Sequence, residues 1–242
     1  MPSAIELREV CVDARGGTRI LDNVTMSIAA GESVAFIGRS GAGKTTALRL
    51  INGLVRPSRG EVLIDGVPLS RTDLIALRRR TGYIIQGSGL FPHRSVYDNV
   101  ATVPRLLHWP EGDTRAAADE VLRMLGLAGF GDRMPRSLSG GEQQRVGIAR
   151  AIIAGPSILL CDEPFGALDP IVRRELQDAF RGTRARGDAT IVFVTHDLAE
   201  ALHVAERVIV FDGGRVVEDV PAGSFTKSAA PVAQALMEAS RW

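Results

Sequence analysis

Apolar positions recur along the chain at two spacings, and the switch between them marks out the elements. Residues 5–12 and 19–28 alternate loosely around Arg15-Gly16-Gly17-Thr18, which predicts an antiparallel pair near the amino end. Ser33-Val34-Ala35-Phe36-Ile37 is a short apolar strand. A glycine-rich loop follows it, then a helix from near Gly43 to about Leu54, with Pro57 and Gly60 punctuating its exit. Glu61 to Asp65 predicts another strand, turned by Asp65-Gly66. Leu74 to Arg80 reads as a short, very basic helix and Gly82 to Gln86 as a strand ending on Gln86. Residues 87–112 are irregular, although Val96 to Leu107 carries helical spacing. Thr114 to Leu125 predicts an amphipathic helix with its apolar line through Ala117, Val121, Leu122 and Leu125. A further helix spans Ser139 to Ala154. The nearly all-apolar run Ser157 to Cys161 suits a central parallel strand covered on both faces. Then come a helix (Ile171 to Arg184), a β-branched strand (Thr190 to Val194) and a helix (Leu198 to Ala205). Val208 to Phe211 and Arg215 to Glu218 flank Asp212-Gly213-Gly214, a hairpin signal.

Strands alternating with helices in this order give an α/β fold with a mostly parallel sheet. The stretch from about 87 to 155 is mainly helical and predicts a lobe beside that sheet. Residues 1–242 read as a single domain, with 222–242 as a short carboxy-terminal tail of one or two helices, and no internal repeat is found.

Composition removes several classes of function. Hydrophobic residues make up 45% and charged residues 24%, enough for a full core. Lys plus Arg number 29 against 28 Asp plus Glu, a formal net charge of +1, so no basic surface argues for a nucleic-acid partner. The two cysteines, Cys11 and Cys161, form no close-spaced pair, which speaks against zinc and fits a reducing compartment; Cys161 sits in an apolar run and reads as packing. No charged segment followed by an apolar stretch opens the sequence as a secretory signal would. No run approaches the roughly 18 apolar residues a spanning helix needs. Service at a membrane would require docking onto something that crosses it.

Gly38-Arg39-Ser40-Gly41-Ala42-Gly43-Lys44-Thr45 matches the phosphate-binding pattern G-x-x-x-x-G-K-[ST] in full, and it lies where that pattern must, after a strand and before a helix. Its glycines let backbone N–H groups curl around oxygen anions, and the helix end adds unpaired donors. Lys44 is placed for the β- and γ-phosphates of ATP, Thr45 for a Mg²⁺ ion that prefers oxygen, and Thr46 extends the contact into the helix. Asp162 ends the buried strand and Glu163 follows it, in the crevice where open sheets bind ligands. Asp162 is the candidate to hold Mg²⁺, through water, and Glu163 to orient or deprotonate the attacking water.

Leu138-Ser139-Gly140-Gly141-Glu142-Gln143-Gln144-Arg145 resembles the signature sequence of the ABC-type ATPases. A capping box explains Ser139 and Glu142, but gives no reason for two glycines in a first helical turn, where they cost stability. With the two nucleotide motifs, Gln86, Asp169 and His196, the family pattern runs nearly complete and in order over residues 5–220. The resemblance implies a P-loop NTPase core of the ABC type, with an amino-terminal antiparallel β-subdomain and a helical subdomain. It implies two copies meeting head to tail, each ATP closed between the loop at 38–45 of one and Ser139, Gly140 and Gly141 of the other, across an isologous interface. Gln86 matches the glutamine that reaches Mg²⁺ and relays nucleotide state. Asp169, in Gly166-Ala167-Leu168-Asp169, matches the loop that crosses the dimer interface and also reads as an N-cap. His196 matches the histidine that contacts the γ-phosphate. One departure stands out: where the family places an aromatic residue against adenine, this chain has Arg15, whose guanidinium plane can stack on a base, with Val12 as an apolar alternative.

Segments between Arg78 and Pro110 resemble most the ATPases that drive uptake of compatible solutes, quaternary amines such as glycine betaine, choline or carnitine. These include Gly89-Leu90-Phe91-Pro92-His93, Asn99-Val100-Ala101-Thr102-Val103-Pro104 and Leu107-His108-Trp109-Pro110. The resemblance therefore implies an ATPase subunit peripheral to the cytoplasmic face of the cell membrane, partnered by a transmembrane permease and indirectly by a solute-binding protein. Phe91, Val96 and Tyr97, with Leu106 and Leu107, are expected to line the groove for the permease's coupling helix. The carboxy-terminal regulatory modules of many compatible-solute ATPases are not expected, since the sequence stops at Trp242. An amino-acid or lipid transporter ATPase, or a soluble ABC ATPase outside transport, is the alternative.

Overall fold

The computed structural model describes residues 3–186, 189–228 and 230–239. In chain order, β1 (Ser3–Asp13), β2 (Arg19–Ala29), β3 (Ser33–Gly38) and α1 (Lys44–Ile51) are followed by β4 (Arg59–Ile64), β5 (Val67–Pro68), α2 (Leu74–Arg79) and β6 (Thr81–Ile84). Next come α3 (Val96–Val100), α4 (Thr102–Leu106), α5 (Glu111–Met124) and α6 (Gly140–Ile152). The chain then returns through β7 (Ile158–Asp162), α7 (Pro170–Arg186), β8 (Thr190–Val194), α8 (Leu198–Val204), β9 (Arg207–Asp212), β10 (Arg215–Pro221) and α9 (Pro231–Ala239).

Two sheets form. The antiparallel one runs β2-β1-β4-β5; the larger runs β10-β9-β3-β8-β7-β6 and is parallel except for the β9–β10 hairpin. Side chains alternate across a strand, and the central strands use both faces. Val34, Phe36, Leu160, Val192 and Phe211 join the core shared with α1 and the antiparallel sheet. Ala35, Ile37, Leu159, Cys161, Phe193 and Val210 join the core shared with α3, α5, α6, α7 and α8. This double burial explains why the strands read as unbroken apolar runs.

The structure corrects several boundaries. The helix expected to reach Leu54 stops at Ile51, because Gly53 takes φ +67° and Leu54 and Val55 turn their N–H groups back onto the Arg49 carbonyl. The helical spacing over Val96–Leu107 breaks into α3 and α4, because Pro104 has no N–H to give to Val100. On α5 the buried line is Thr114, Ala118 and Leu122, with Ala117 and Val121 on its partly buried flank. The strand expected to end on Gln86 stops at Ile84, so Gln86 lies in the loop beyond the ladder. The tail forms a 3₁₀ turn (Ala222–Lys227) and α9; residues 240–242 lie outside the described residues. Val96 and Tyr97 do not line a groove. They are 0% and 7% exposed, in the helical lobe's core, whereas Phe91, Leu106 and Leu107 do face solvent.

Candidate active site

Parallel strands deliver their carboxyl ends to one edge of the sheet, and the candidate residues converge there. Gly38 ends β3 with φ +138°, so close to β9 that a Cβ would lie 2.1 Å from the Phe211 carbonyl oxygen. Gly43 (φ +97°) faces Ile20 and Leu21 of the hairpin, where a Cβ would meet Leu21 Cδ2 at 2.5 Å. Only glycine meets both demands. Across the loop so formed, Lys44 Nζ donates to the carbonyls of Gly38 and Arg39, each at 2.8 Å. Burial lowers the Lys44 pKa, while the negative charges of Glu163 and Asp162 work against that shift.

Asp162, at the end of β7, is 2% exposed. Its Oδ1 accepts the Thr45 hydroxyl at 3.0 Å, and its Oδ2 is buried with no hydrogen-bond partner. Burial pushes this carboxyl up from the ordinary range, and the Thr45 bond opposes that. Glu163 takes the left-handed conformation, φ +52°, with its N–H donated to the Val194 carbonyl at 3.0 Å. A non-glycine residue held there stores strain of about 1–3 kcal/mol, tolerated where surrounding contacts over-determine it. The twist sends the Glu163 carboxylate away from Asp162. Its Oε2 accepts Gln86 Nε2 at 3.1 Å, and its Oε1 lies 3.4 Å from Nδ1 of the exposed His196.

These groups border one cleft of about 520 Å³, lined by Gly38, Ser40, Gly41, Ala42, Gly43, Lys44, Thr45, Thr46, Gln86, Glu163 and His196, with Ile20 and Val194. Asp162 lies beneath Thr45, and Arg39 is exposed outside the lining. A larger, apolar groove of about 790 Å³ opens between α6 and α7 beside Ile152, Leu159 and Phe180, and contains none of the phosphate-loop residues.

Some expected residues sit elsewhere. Arg15 is exposed on the hairpin turn and does not line the cleft, and Val12 is buried in the antiparallel sheet's core. Ile20 is the hairpin side chain that reaches the cleft; sequence reading missed it because the hairpin's closure onto Gly43 is a tertiary contact. Ser139 caps α6 in a complete capping box. Its hydroxyl accepts the Glu142 N–H at 3.3 Å, and Glu142 Oε2 accepts the Ser139 N–H at 2.7 Å. Ser139 and Gly140 face solvent, away from the chain's own cleft. Asp169 caps α7, accepting from the N–H groups of Ile171 and Val172 at 3.1 and 3.0 Å. Two connections had no sequence signal. Gln144 of α6 donates to the Pro164 carbonyl at 3.0 Å, tying that helix to the Asp162–Glu163 turn. Thr195 donates to the buried Glu200 at 2.7 Å and so fixes the turn that presents His196.

The family pattern described as ABC transporter matches residues 21–166. The choline transport ATP-binding protein OpuBA of Bacillus subtilis (strain 168) is 45% identical over 215 residues, covering 88% of this chain and 56% of that protein. The glycine betaine/carnitine/choline transport ATP-binding protein OpuCA of the same organism is 44% identical over 215 residues, covering 88% and 57%. The chain thus spans little more than half the length of these curated relatives. Among solved structures, the ATP-binding cassette MJ0796, dimeric in a post-hydrolysis state bound to ADP and Pi, superposes with a TM-score of 0.84 at 32% identity, covering 90% of this chain and 98% of that one.

Proposed function

Because this chain belongs to the ABC transporter family, we propose that it is the ATP-binding and ATP-hydrolysing subunit of an importer for quaternary-amine compatible solutes, acting as a head-to-tail pair beneath a membrane permease. The observation that carries the reading is the meeting of Lys44, Thr45, Gln86, Glu163 and His196 at one cleft, with Asp162 below it. The loop 38–45 and the amino end of α1 take the phosphates, Lys44 turning its charge from the loop carbonyls to the β- and γ-oxygens. Glu163 faces the cleft between Gln86 and His196, placed to orient the attacking water and receive its proton. His196 is the contact for the γ-phosphate.

The residues fit Mg²⁺. Asp162 Oδ2 is a buried oxygen in want of a positive partner, the Thr45 hydroxyl adds a neutral oxygen beside it, and Gln86 lines the same cleft as Thr45. Mg²⁺ is commonly held by one or two carboxylates plus substrate phosphates. Thr45, Gln86 and Asp162 would hold it, and it would supply positive charge against the phosphate oxygens.

Ser139, Gly140 and Gly141 complete the shell from the second copy, which explains an exposed helix end carrying two glycines, and Asp169 lies at the crossing between copies. No helix among the described residues is long and apolar enough to cross a membrane. The place of work is the cytoplasmic face, through the exposed Phe91, Leu106 and Leu107, with a solute-binding protein reached only through the permease. The named transport roles of the relatives support the cargo class. Affinity purification of the native complex from solubilised membranes should bring down a permease, and cells carrying Glu163→Gln should lose uptake of radiolabelled glycine betaine or choline. Recovery with ribosomes, or uptake that survives the substitution, would overturn the reading.

A further inference from the structure

Gln86 and Ser139 belong to different elements, yet one side chain joins the segments that carry them. Three successive residues after Gln86 have positive φ: Gly87 (+76°), Ser88 (+61°) and Gly89 (+52°). Ser88 is the costly member, a buried non-glycine residue in the left-handed region. Such a turn persists only where its surroundings hold it. Here Arg150, in the last turn of α6, donates from Nη1 to the Gly89 carbonyl at 2.8 Å and from Nη2 to the Ser88 carbonyl at 3.0 Å. One turn earlier, Gly147 lets the segment lie so close that a Cβ would stand 3.1 Å from the Ser88 oxygen. Downstream, Asn99 continues the hold: its Oδ1 accepts the Phe91 N–H at 2.8 Å, and its Nδ2 donates to the carbonyls of Phe91, Arg94 and Ser95. Ser88 to Ser95 is therefore fixed to the helical lobe, while the Gln86 side chain is bonded to Glu163 in the turn that follows β7. Ile85–Gly87 is left as the joint. On the α6 rod, Arg150 lies near one end and the Ser139 cap at the other, about 16 Å apart along the axis at 1.5 Å per residue.

We propose that Arg150 is a positioning residue for ATP hydrolysis: its two-pronged hold on Ser88 and Gly89 locks the segment after Gln86 to the helix that carries Ser139, so that the two take their places together. The inference rests on the function proposed above. A guanidinium suits the task, because its planar fork meets two carbonyls at once, whereas an ammonium is a single point charge.

A double-mutant cycle on kcat, with Arg150→Met and Gln86→Ala in the full chain, tests the proposal. Arg150→Met is expected to lower kcat on the order of 10- to 100-fold, the scale of a displaced catalytic group. Its KM for ATP should stay within about threefold of the parent, since the ground-state contacts are untouched. The double variant should be no more than about threefold slower than the slower single one, since both break one linkage. Arg150→Lys should recover part of kcat. Gly147→Ala, which crowds the Ser88 carbonyl without touching the arginine, should lower kcat with a melting temperature close to the parent's; it carries the test if Arg150→Met does not fold. Effects that multiply, or full kcat in Arg150→Met or Gly147→Ala, would overturn the linkage. A parent chain without ATPase activity would instead overturn the proposed function.

Discussion

Asp162 and Glu163 are adjacent carboxylates that the backbone sends to different work. Asp162, still in the strand, points under the phosphate loop to Thr45, while the left-handed turn at Glu163 swings its carboxylate between Gln86 and His196. One buried acid and one open to the cleft is the division that metal holding and base catalysis require. Glu163→Gln keeps the shape and removes the proposed base, so kcat should fall by about 10²–10⁴ while ATP binding remains, checked by phosphate release alongside equilibrium binding. Lys44→Ala removes the cation that spans the loop, and titration with a fluorescent ATP analogue should show no productive binding at millimolar nucleotide. The placement of these residues at and beneath the cleft was legible in the sequence because each motif is a short run that follows directly on a strand. Arg15 and Ile20 were not: which of them faces the cleft depends on how the β1–β2 hairpin closes over Gly43, and no local spacing records that contact.

Elements followed the apolar pattern where both faces of a strand are buried, as in β3, β7 and β8, and strayed where a backbone detail ends a periodic run. Gly53 is such a detail. Its left-handed φ stops α1, and an added Cβ would lie 2.7 Å from Leu74 Cδ2. Gly53→Ala should therefore destabilise the fold by more than about 1 kcal/mol, read by urea denaturation. The break at Ala101 follows from Pro104, visible in the sequence but overridden by the helical spacing around it. At the amino end of α6 the sequence showed the capping box and the structure retains it, and under the proposed function the same turn serves a second copy. Ser139→Arg places a long cation where the partner's phosphate would enter. It should abolish hydrolysis while leaving the circular dichroism spectrum and melting curve of the isolated chain close to the parent's.

At the scale of the whole molecule, the two cores lie on opposite faces of one sheet, and the candidate site residues gather along its carboxyl edge. Arg207 is a principal tie between the sheets' connections, bonding Glu32 at 2.8 Å, Asp219 at 2.6 Å and the Ser27 carbonyl at 2.6 Å. The phosphate loop and the Ser139 turn do not meet within the chain, and that separation is what the proposed pairing resolves. Sequence alone could name both halves of the proposed composite site, but their arrangement on one molecule is a property of the folded lobe.

Under the proposed function, ATP is enclosed between the loop of one copy and the α6 end of another. Light scattering coupled to size exclusion, on Glu163→Gln with ATP and Mg²⁺, tests it most directly. The mass should shift from that of one chain to that of two, an effect abolished by chelating the metal and by adding Ser139→Arg. A protein that binds ATP and remains a single chain, or a pair that forms regardless of nucleotide and of residue 139, would contradict it.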